Sequence, residues 1–357
     1  MKSPVYFTPF ANNTSESVAA QKITHLIRSA NLKSCFQEND FVAIKLHFGE
    51  IGNRNTISPR FVRYFVDLIK QHNANAFLTD TCVLYKSQRS DAVNHLQVAE
   101  KQGYTLTATG APVVIADGLF GNSEIEVEIP GKLYSKVAIA TEAVLANAMF
   151  ALTHVTGHME TGLGGTLKNL GMGLASRKGK LRQHSAIKPQ IIASNCTGCG
   201  VCVSWCPTNA ISLSNQIAVI DDARCIGCGQ CLTMCRYSAI RYNWAVSSTE
   251  LQKRVAEHAL GAIINKRDKV GFISFLTAIT RDCDCLGRTQ KPITPDIGII
   301  ASKDPVAIDA AALALIQQAT GKTLSALAYP NIDDTVQLEH AEAIGLGSRD
   351  FEIITVD

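Results

Sequence analysis

Eight of the chain's twelve cysteines fall in one stretch of 40 residues, Cys196 to Cys235, and their spacing constrains the fold more than any other feature. The first run is Cys196-x2-Cys199-x2-Cys202-x3-Cys206-Pro207, and the second is Cys225-x2-Cys228-x2-Cys231-x3-Cys235. Three thiolates at this spacing can meet three irons of one cubane from a single turn of chain. In two-cluster bacterial ferredoxins the fourth cysteine of each run ligates the other cluster. The pattern predicts two [4Fe–4S] clusters, one held by Cys196, Cys199, Cys202 and Cys235, the other by Cys225, Cys228, Cys231 and Cys206. Gly198, Gly200, Gly227 and Gly229 free backbone N–H groups to turn toward cluster sulfurs. A zinc site would use four cysteines in two pairs, not two runs of four. Arg236 stands where the second run would often carry proline, which changes no ligand.

Apolar segments flank each run: Ile191-Ile192, Ile211-Ser212-Leu213, Ile217 to Ile220, and Ile240-Arg241-Tyr242. They read as the small strands of an α+β ferredoxin-like unit over 190–245. The flanks read differently. Phe41 to Ile44, Ala76 to Thr79, Pro112 to Ile115, Ala148 to Thr153, Val270 to Leu276 and Ile297 to Ala301 are candidate buried strands. Ser58-Pro59 opens a helix with its apolar stripe at Phe61, Val62, Phe65, Val66 and Ile69, and Asp304-Pro305 opens another running to about Thr320. Alternating strands and helices predict an α/β domain with a mainly parallel layered sheet, formed by 1–189 plus 246–357, with the ferredoxin-like domain inserted. Hydrophobic residues at 46% and charged residues at 18% exclude a disordered chain. No apolar run approaches the roughly 18 residues of a membrane span. The start MKSPVYFTPFANNTSE has no apolar signal core, so the expected location is the cytoplasm, without a membrane partner.

In open α/β sheets, ligands bind beyond the carboxyl ends of strands. Here those ends deliver Lys45 and His47 (followed by Glu50, Asn53 and Arg54), Asp80 (followed by Tyr85 and Arg89), His154 and His158, Thr280 with Cys283-Asp284-Cys285, and Asp304. Each alone reads as a cap or a core polar group. Together they read as a site, with Lys45, His47, Asp80, His158 and Lys168 as candidate catalytic or binding groups. Lys168 lies in the glycine-rich run Gly162 to Asn169. That run fits no dinucleotide or Walker spacing, but its backbone N–H groups could hold a carboxylate or phosphate. Cys283 and Cys285 have the spacing of two thiolates that share an additional metal ion with a histidine, or that act as a redox pair. Asp309 lies among apolar positions of its helix and reads as a buried acceptor for loop N–H groups.

The net charge of +3 does not argue for nucleic acid. Thr161 to Ile220 contains no Asp or Glu but six Lys or Arg: Lys168, Arg177, Lys178, Lys180, Arg182 and Lys188. Such a stretch favours anionic clusters or a small anionic substrate. RNA is not an expected partner, since Arg177 to Lys188 carries no Phe, Tyr or Trp for base stacking.

The segments VAIKLHFGEIGN, FLTDTCVLYKSQRSDAVNH, TGHMETGLGGTLKNLGMGLASRKGKLRQHS, FISFLTAITRDCDC and PDIGIIASKDPVAIDAAA occur in this order around the cysteine runs. In them the whole chain resembles iron–sulfur proteins carrying domain of unknown function 362. The resemblance implies [4Fe–4S] binding by the eight cysteines and no settled reaction. It marks Lys45, His47, Asp80, His158, Lys168, Asn169, Cys283, Cys285 and Asp304 as motif positions. Thr156 departs from the family, which commonly has Lys before Gly-His.

The leading functional expectation is a ferredoxin-type oxidoreductase, passing single electrons from an external donor to a small anionic substrate or a metal site on the α/β domain. Two alternatives stand beside it: an electron-transfer protein without its own substrate, and a non-redox enzyme with structural clusters.

Overall fold

Period-two alternation of small and branched apolar residues builds the sheet. In Phe41–Lys45, Val42 and Ile44 face one side while Ala43 faces the other, and all three are fully buried. A strand apolar on both faces must be covered on both, as in layered α/β folds. In the computed structural model, which describes residues 2–85, 87–184, 188–225, 229–241 and 246–356, the sheet has eight strands. They are β1 (Ser3–Pro9), β2 (Phe41–Lys45), β3 (Asn75–Asp80), β4 (Val113–Ile115), β5 (Ala148–His154), β6 (Val270–Leu276), β7 (Gly298–Ser302) and β8 (Phe351–Thr355). Their order across the sheet is β8-β1-β7-β6-β5-β2-β3-β4. All neighbours pair in parallel except β7, which is antiparallel to both β1 and β6. The fold is a mixed α/β structure with a mainly parallel sheet.

The Pro59–Gln71 helix packs Phe61, Phe65 and Ile69 into one core, with Val42, Ile44 and Phe150. On the other face, Leu260 and Ile263 of the Ser248–Ile263 helix and Ile308 of the Pro305–Thr320 helix share a core with Met149, Phe272 and Ile300. The cysteine-rich segment has a small core of its own, in which Cys202, Ile211, Ala218, Cys231 and Ile240 are buried. It carries two antiparallel strand pairs, Gln190–Ile191 with Ile240–Arg241, and Ile211–Ser214 with Ile217–Ile220. Tyr242, the expected end of the last strand, and Cys228, an expected cluster ligand, lie outside the described residues.

The reversal of β7 corrects one expectation. Read as one more parallel strand, β7 would deliver Asp304 to the same edge as Lys45 and Asp80. Because β7 runs the other way, Asp304 lies at the opposite edge, where its carboxylate caps the Pro305–Thr320 helix through Val306 N–H (2.9 Å) and Ala307 N–H (3.0 Å) and accepts Ser3 Oγ–H (2.7 Å). Among the described residues, no helix is long and apolar enough to cross a membrane.

Candidate functional site

β6, β5, β2 and β3 are adjacent and parallel, so their carboxyl ends form one edge. A cavity of about 430 Å³ opens there. It is lined by Lys45, His47, Asp80, His158, Lys168, Cys283 and Cys285, which brings together at one place groups from five parts of the chain. Arg89, His154, Asn169, Lys180 and Asp284 line it too.

Several of these charges are committed to one another. Lys45 Nζ lies 3.1 Å from Asp80 Oδ1 and donates to Asn169 Oδ1 (2.7 Å) and the Leu46 carbonyl (3.2 Å). Burial opposes the charge on Asp80, but Lys45, with His47, His95 and Arg89 behind it, holds the carboxyl well below the usual carboxylate range. Arg89 donates to Glu50 Oε2 (3.2 Å) and the Tyr85 hydroxyl (2.6 Å). His154 donates from Nδ1 to Asp284 (2.9 Å) and from Nε2 to the Thr277 carbonyl (2.9 Å). With an acceptor on each nitrogen the ring is an imidazolium. Burial opposes that charge, and Asp284 more than restores it, raising the pKa.

Other groups are unspent. No residue accepts a hydrogen bond from Lys168 Nζ among the described residues, and burial, opposed by the Glu160 carboxylate and aided by Lys45 and Arg89, pushes its pKa down to about 8. His158 Nδ1 accepts the N–H groups of Glu160 (3.2 Å) and Thr161 (3.1 Å), which places the proton of the neutral ring on Nε2. Burial and Lys168 keep that ring well below its usual pKa. His47 is held neutral in the same way by burial and Arg89, with Gly49 N–H 3.0 Å from its Nδ1.

The sulfurs of Cys283 and Cys285 are bonded to each other. One ligand atom each from His158, Cys283 and Cys285 lies within 4.8 Å of the others, so this trio could hold a metal ion once the sulfurs are reduced. His158 bound through Nε2 would carry its proton on Nδ1, where the two backbone N–H groups point. Metal binding would therefore have to turn that loop away.

Two N–H groups of the glycine-rich run hold a carboxylate of the chain itself. The N–H groups of Thr166 and Leu167, at the start of the Thr166–Gly171 helix, are taken by Asp309 Oδ1 (2.7 Å) and Oδ2 (2.8 Å). A carboxylate of the chain itself occupies the place expected for a ligand, and Gly165 is required there because a Cβ would sit 2.7 Å from the Asp309 carboxyl. Asp309 is thus the buried acceptor its surroundings imply.

Two residues at this edge were not among the expected ones. His95 is fully buried, edge-on to Phe48, with Nε2 3.7 Å from Asp80 Oδ2 and, among the described residues, no hydrogen-bond partner on either nitrogen. Burial pushes it down to about 4. Asp117 accepts the Cys82 N–H on both oxygens (3.0 Å), and burial, partly offset by Lys180, raises its pKa to about 6. Asp117 follows the end of β4, so the strand-end rule applied to Pro112 to Ile115 would have found it. No local pattern marks His95.

Seven of the eight clustered cysteines are described, and they divide between two cavities. Cys196, Cys199, Cys202 and Cys235 line one, and Cys206, Cys225 and Cys231 line the other. Backbone N–H groups point at three of the sulfurs: Ala210 at Cys206 (3.2 Å), Ala218 at Cys196 (3.4 Å) and Ala239 at Cys235 (3.4 Å).

A family model described as domain of unknown function, DUF362, matches residues 42–314. The chain belongs to the DUF362 family. No curated protein matches it. Among solved structures, this DUF362 protein is similar to the lactate racemase apoprotein from Thermoanaerobacterium thermosaccharolyticum, at TM-score 0.36 and 15% identity over 52% of this chain and 42% of that one. It is also similar to a protein from Thermotoga maritima, at TM-score 0.43 and 10% identity over 89% of this chain and 60% of that one. It spans less than two thirds of either neighbour's length.

Proposed function

We propose that this DUF362 protein is an iron–sulfur oxidoreductase in which residues 190–245, inserted into the α/β domain of 1–189 and 246–357, hold two [4Fe–4S] clusters. The observation that carries the reading is the division of the described cysteines, four around one cavity and three around the other, each set mixing the two runs. Cys196, Cys199, Cys202 and Cys235 would hold one cluster, and Cys225, Cys228, Cys231 and Cys206 the other. The donor set fits: thiolates alone, with backbone N–H groups aimed at three of the sulfurs. When bound, such clusters supply single electrons, here obtained from an external donor.

The α/β edge would take a small anionic substrate. Lys168 offers the uncommitted cation, while Lys45 is spent on Asp80 and Asn169 and serves to fix the floor. His158 presents an Nε2–H proton to the same space, and His47 closes the side nearest Arg89. The Cys283–Cys285 pair stands beside His158, either as a dithiol or as ligands of an additional metal ion.

The test is metal and sulfide counting on anaerobically purified protein, with electron paramagnetic resonance before and after dithionite, repeated on Cys283→Ser/Cys285→Ser. The reading expects about eight irons and eight sulfides in both proteins. One further metal, lost only in the variant, would assign the pair to a metal site. Zinc without sulfide in the parent would sink the cluster reading.

A further inference from the structure

We infer that the face around Cys199 is the docking surface for an acidic one-electron carrier protein, and that the opposite end, around Cys231, is the one turned toward the α/β cavity. The inference rests on the cluster reading above and adds a direction to it.

The inner end is defined by packing. Leu232, in the Gln230–Met234 helix between Cys231 and Cys235, packs against Leu181 and Leu84. Leu84 lines the α/β cavity, and Leu181 lies in the Arg177–His184 helix whose Lys180 and His184 also line it. Gly229, at φ +72°, is pressed so close that a Cβ there would meet the Leu181 side chain. On the same side Lys188 Nζ donates to the Asp222 carbonyl, and Pro189 joins Cys206, Cys225 and Cys231 around their cavity. Gly229, which lines the cavity of this cysteine set, thus abuts the helix that lines the α/β cavity.

The outer end is defined by exposure. The cavity of Cys196, Cys199, Cys202 and Cys235 is lined wholly from within 191–240, and Cys199 itself is exposed. Around it Val201, Leu213 and Tyr237 are 37%, 45% and 51% exposed, an apolar group that the chain's own fold leaves uncovered. The charged residues next to this group along the chain have one sign. Residues 161–220 and 223–241 contain no Asp or Glu. Arg236 and Arg241 are exposed and make no ion pair among the described residues. The two carboxylates of the segment, Asp221 and Asp222, precede Cys225, and Asp221 is held in a turn by Ala223 N–H (2.9 Å). An apolar centre with arginines at its margin fits a small carrier with an acidic rim around its own redox centre, and such pairs associate by electrostatic steering that salt suppresses.

The experiment uses the cluster-loaded full chain and a plant-type acidic [2Fe–2S] ferredoxin as the probe. Binding of the oxidised ferredoxin is read as a dissociation constant at low and high salt, and cluster reduction by the reduced ferredoxin as a stopped-flow rate. Arg236→Glu/Arg241→Glu should weaken binding and slow reduction by about tenfold or more at low salt, with the difference vanishing at high salt. Reduction by dithionite should be unchanged, which shows that the clusters are intact. Tyr237→Ser should weaken binding at both salt concentrations. Equal binding by parent and arginine variant, or no binding by the parent, overturns the inference. A parent without clusters overturns the underlying reading as well, and the iron count separates the two failures.

Discussion

Lys45 and Asp80, on neighbouring parallel strands, form a buried ion pair at 3.1 Å, with side chains 1% and 6% exposed. The register that sets Lys45 beside Thr79 puts the next residue, Asp80, at the last position of its strand, within reach of the ammonium. Asn169 and the Leu46 carbonyl complete the coordination of Lys45. Removing one member of such a pair leaves the other charged without compensation. Lys45→Met should cost about 3–5 kcal/mol, read as a lower calorimetric midpoint. Lys45→Met/Asp80→Leu should recover a large part of the loss. A single variant as stable as the parent would show that the pair is not what holds this edge.

Asp309 ties the Pro305–Thr320 helix to the start of the Thr166–Gly171 helix, and so positions Lys168. Asp309→Ala leaves the N–H groups of Thr166 and Leu167 buried without acceptors, at roughly 1–3 kcal/mol each. Gly165→Ala should injure the same joint from the other side, since its methyl would meet the carboxylate. Both variants should unfold at lower denaturant and bind anions less well. An Asp309→Ala protein with parental stability would count against the cap.

On the proposed anion-binding role, Lys168 should set a pH window. An ordinary lysine keeps its charge to above pH 10, but burial lowers Lys168 to about 8. Affinity for a small carboxylate probe such as oxalate should therefore be full below pH 7 and fall as pH rises through about 8. Lys180 also sits at about 8, but its ammonium is committed to Thr81 Oγ1 (2.5 Å) and the Ala175 carbonyl (2.6 Å). Lys168→Arg should keep binding flat to above pH 9, and Lys168→Ala should abolish it. A parent profile flat across pH 7–9 would remove Lys168 from the binding role. The stability consequence has the opposite sign. The unfolded chain protonates Lys168 more readily than the native one, so this group's cost to folding shrinks as pH rises from about 8 toward 10.

On the proposed two-cluster reading, the crossed cysteine sets, which the spacing of the two runs already predicts, can be tested one cluster at a time. Cys206 belongs to the first run but shares its cavity with Cys225 and Cys231. Cys206→Ala and Cys231→Ala should damage the same cluster, leaving the paramagnetic signal of the other, with iron falling from about eight toward four. Cys235→Ala should pair instead with Cys202→Ala. Identical residual spectra for Cys206→Ala and Cys202→Ala would contradict the crossing.

Strand positions were legible because buried strands announce themselves as short apolar runs. Phe41–Lys45, Ala148–His154 and Val270–Leu276 begin and end within a residue of where those runs do. β1 and β8 were not read: Ser3–Pro9 has two prolines, and Phe351–Thr355 contains an exposed glutamate. The polar strand ends were equally visible, but which of them are neighbours is a matter of strand order and direction. No residue within Gly298–Ser302 signals that this strand runs backwards, yet that reversal removes Asp304 from the cavity edge. His95 is invisible to any local rule, because it reaches Asp80 only through packing of the Ala92–Lys101 helix on the sheet.

By itself the sequence determined the chemical inventory: eight cysteines in two runs of fixed spacing, apolar strands, and Lys, His and Asp at their ends. These are properties of neighbours along the chain, where spacing and period act directly. Tertiary structure alone decided how that inventory is spent. It committed Lys45 to Asp80, gave the N–H groups of Thr166 and Leu167 to Asp309, and left Lys168 facing the cavity. Each of these depends on residues distant in sequence meeting in a buried space. There, loss of water makes an unpaired charge or N–H costly enough to select one partner over all others.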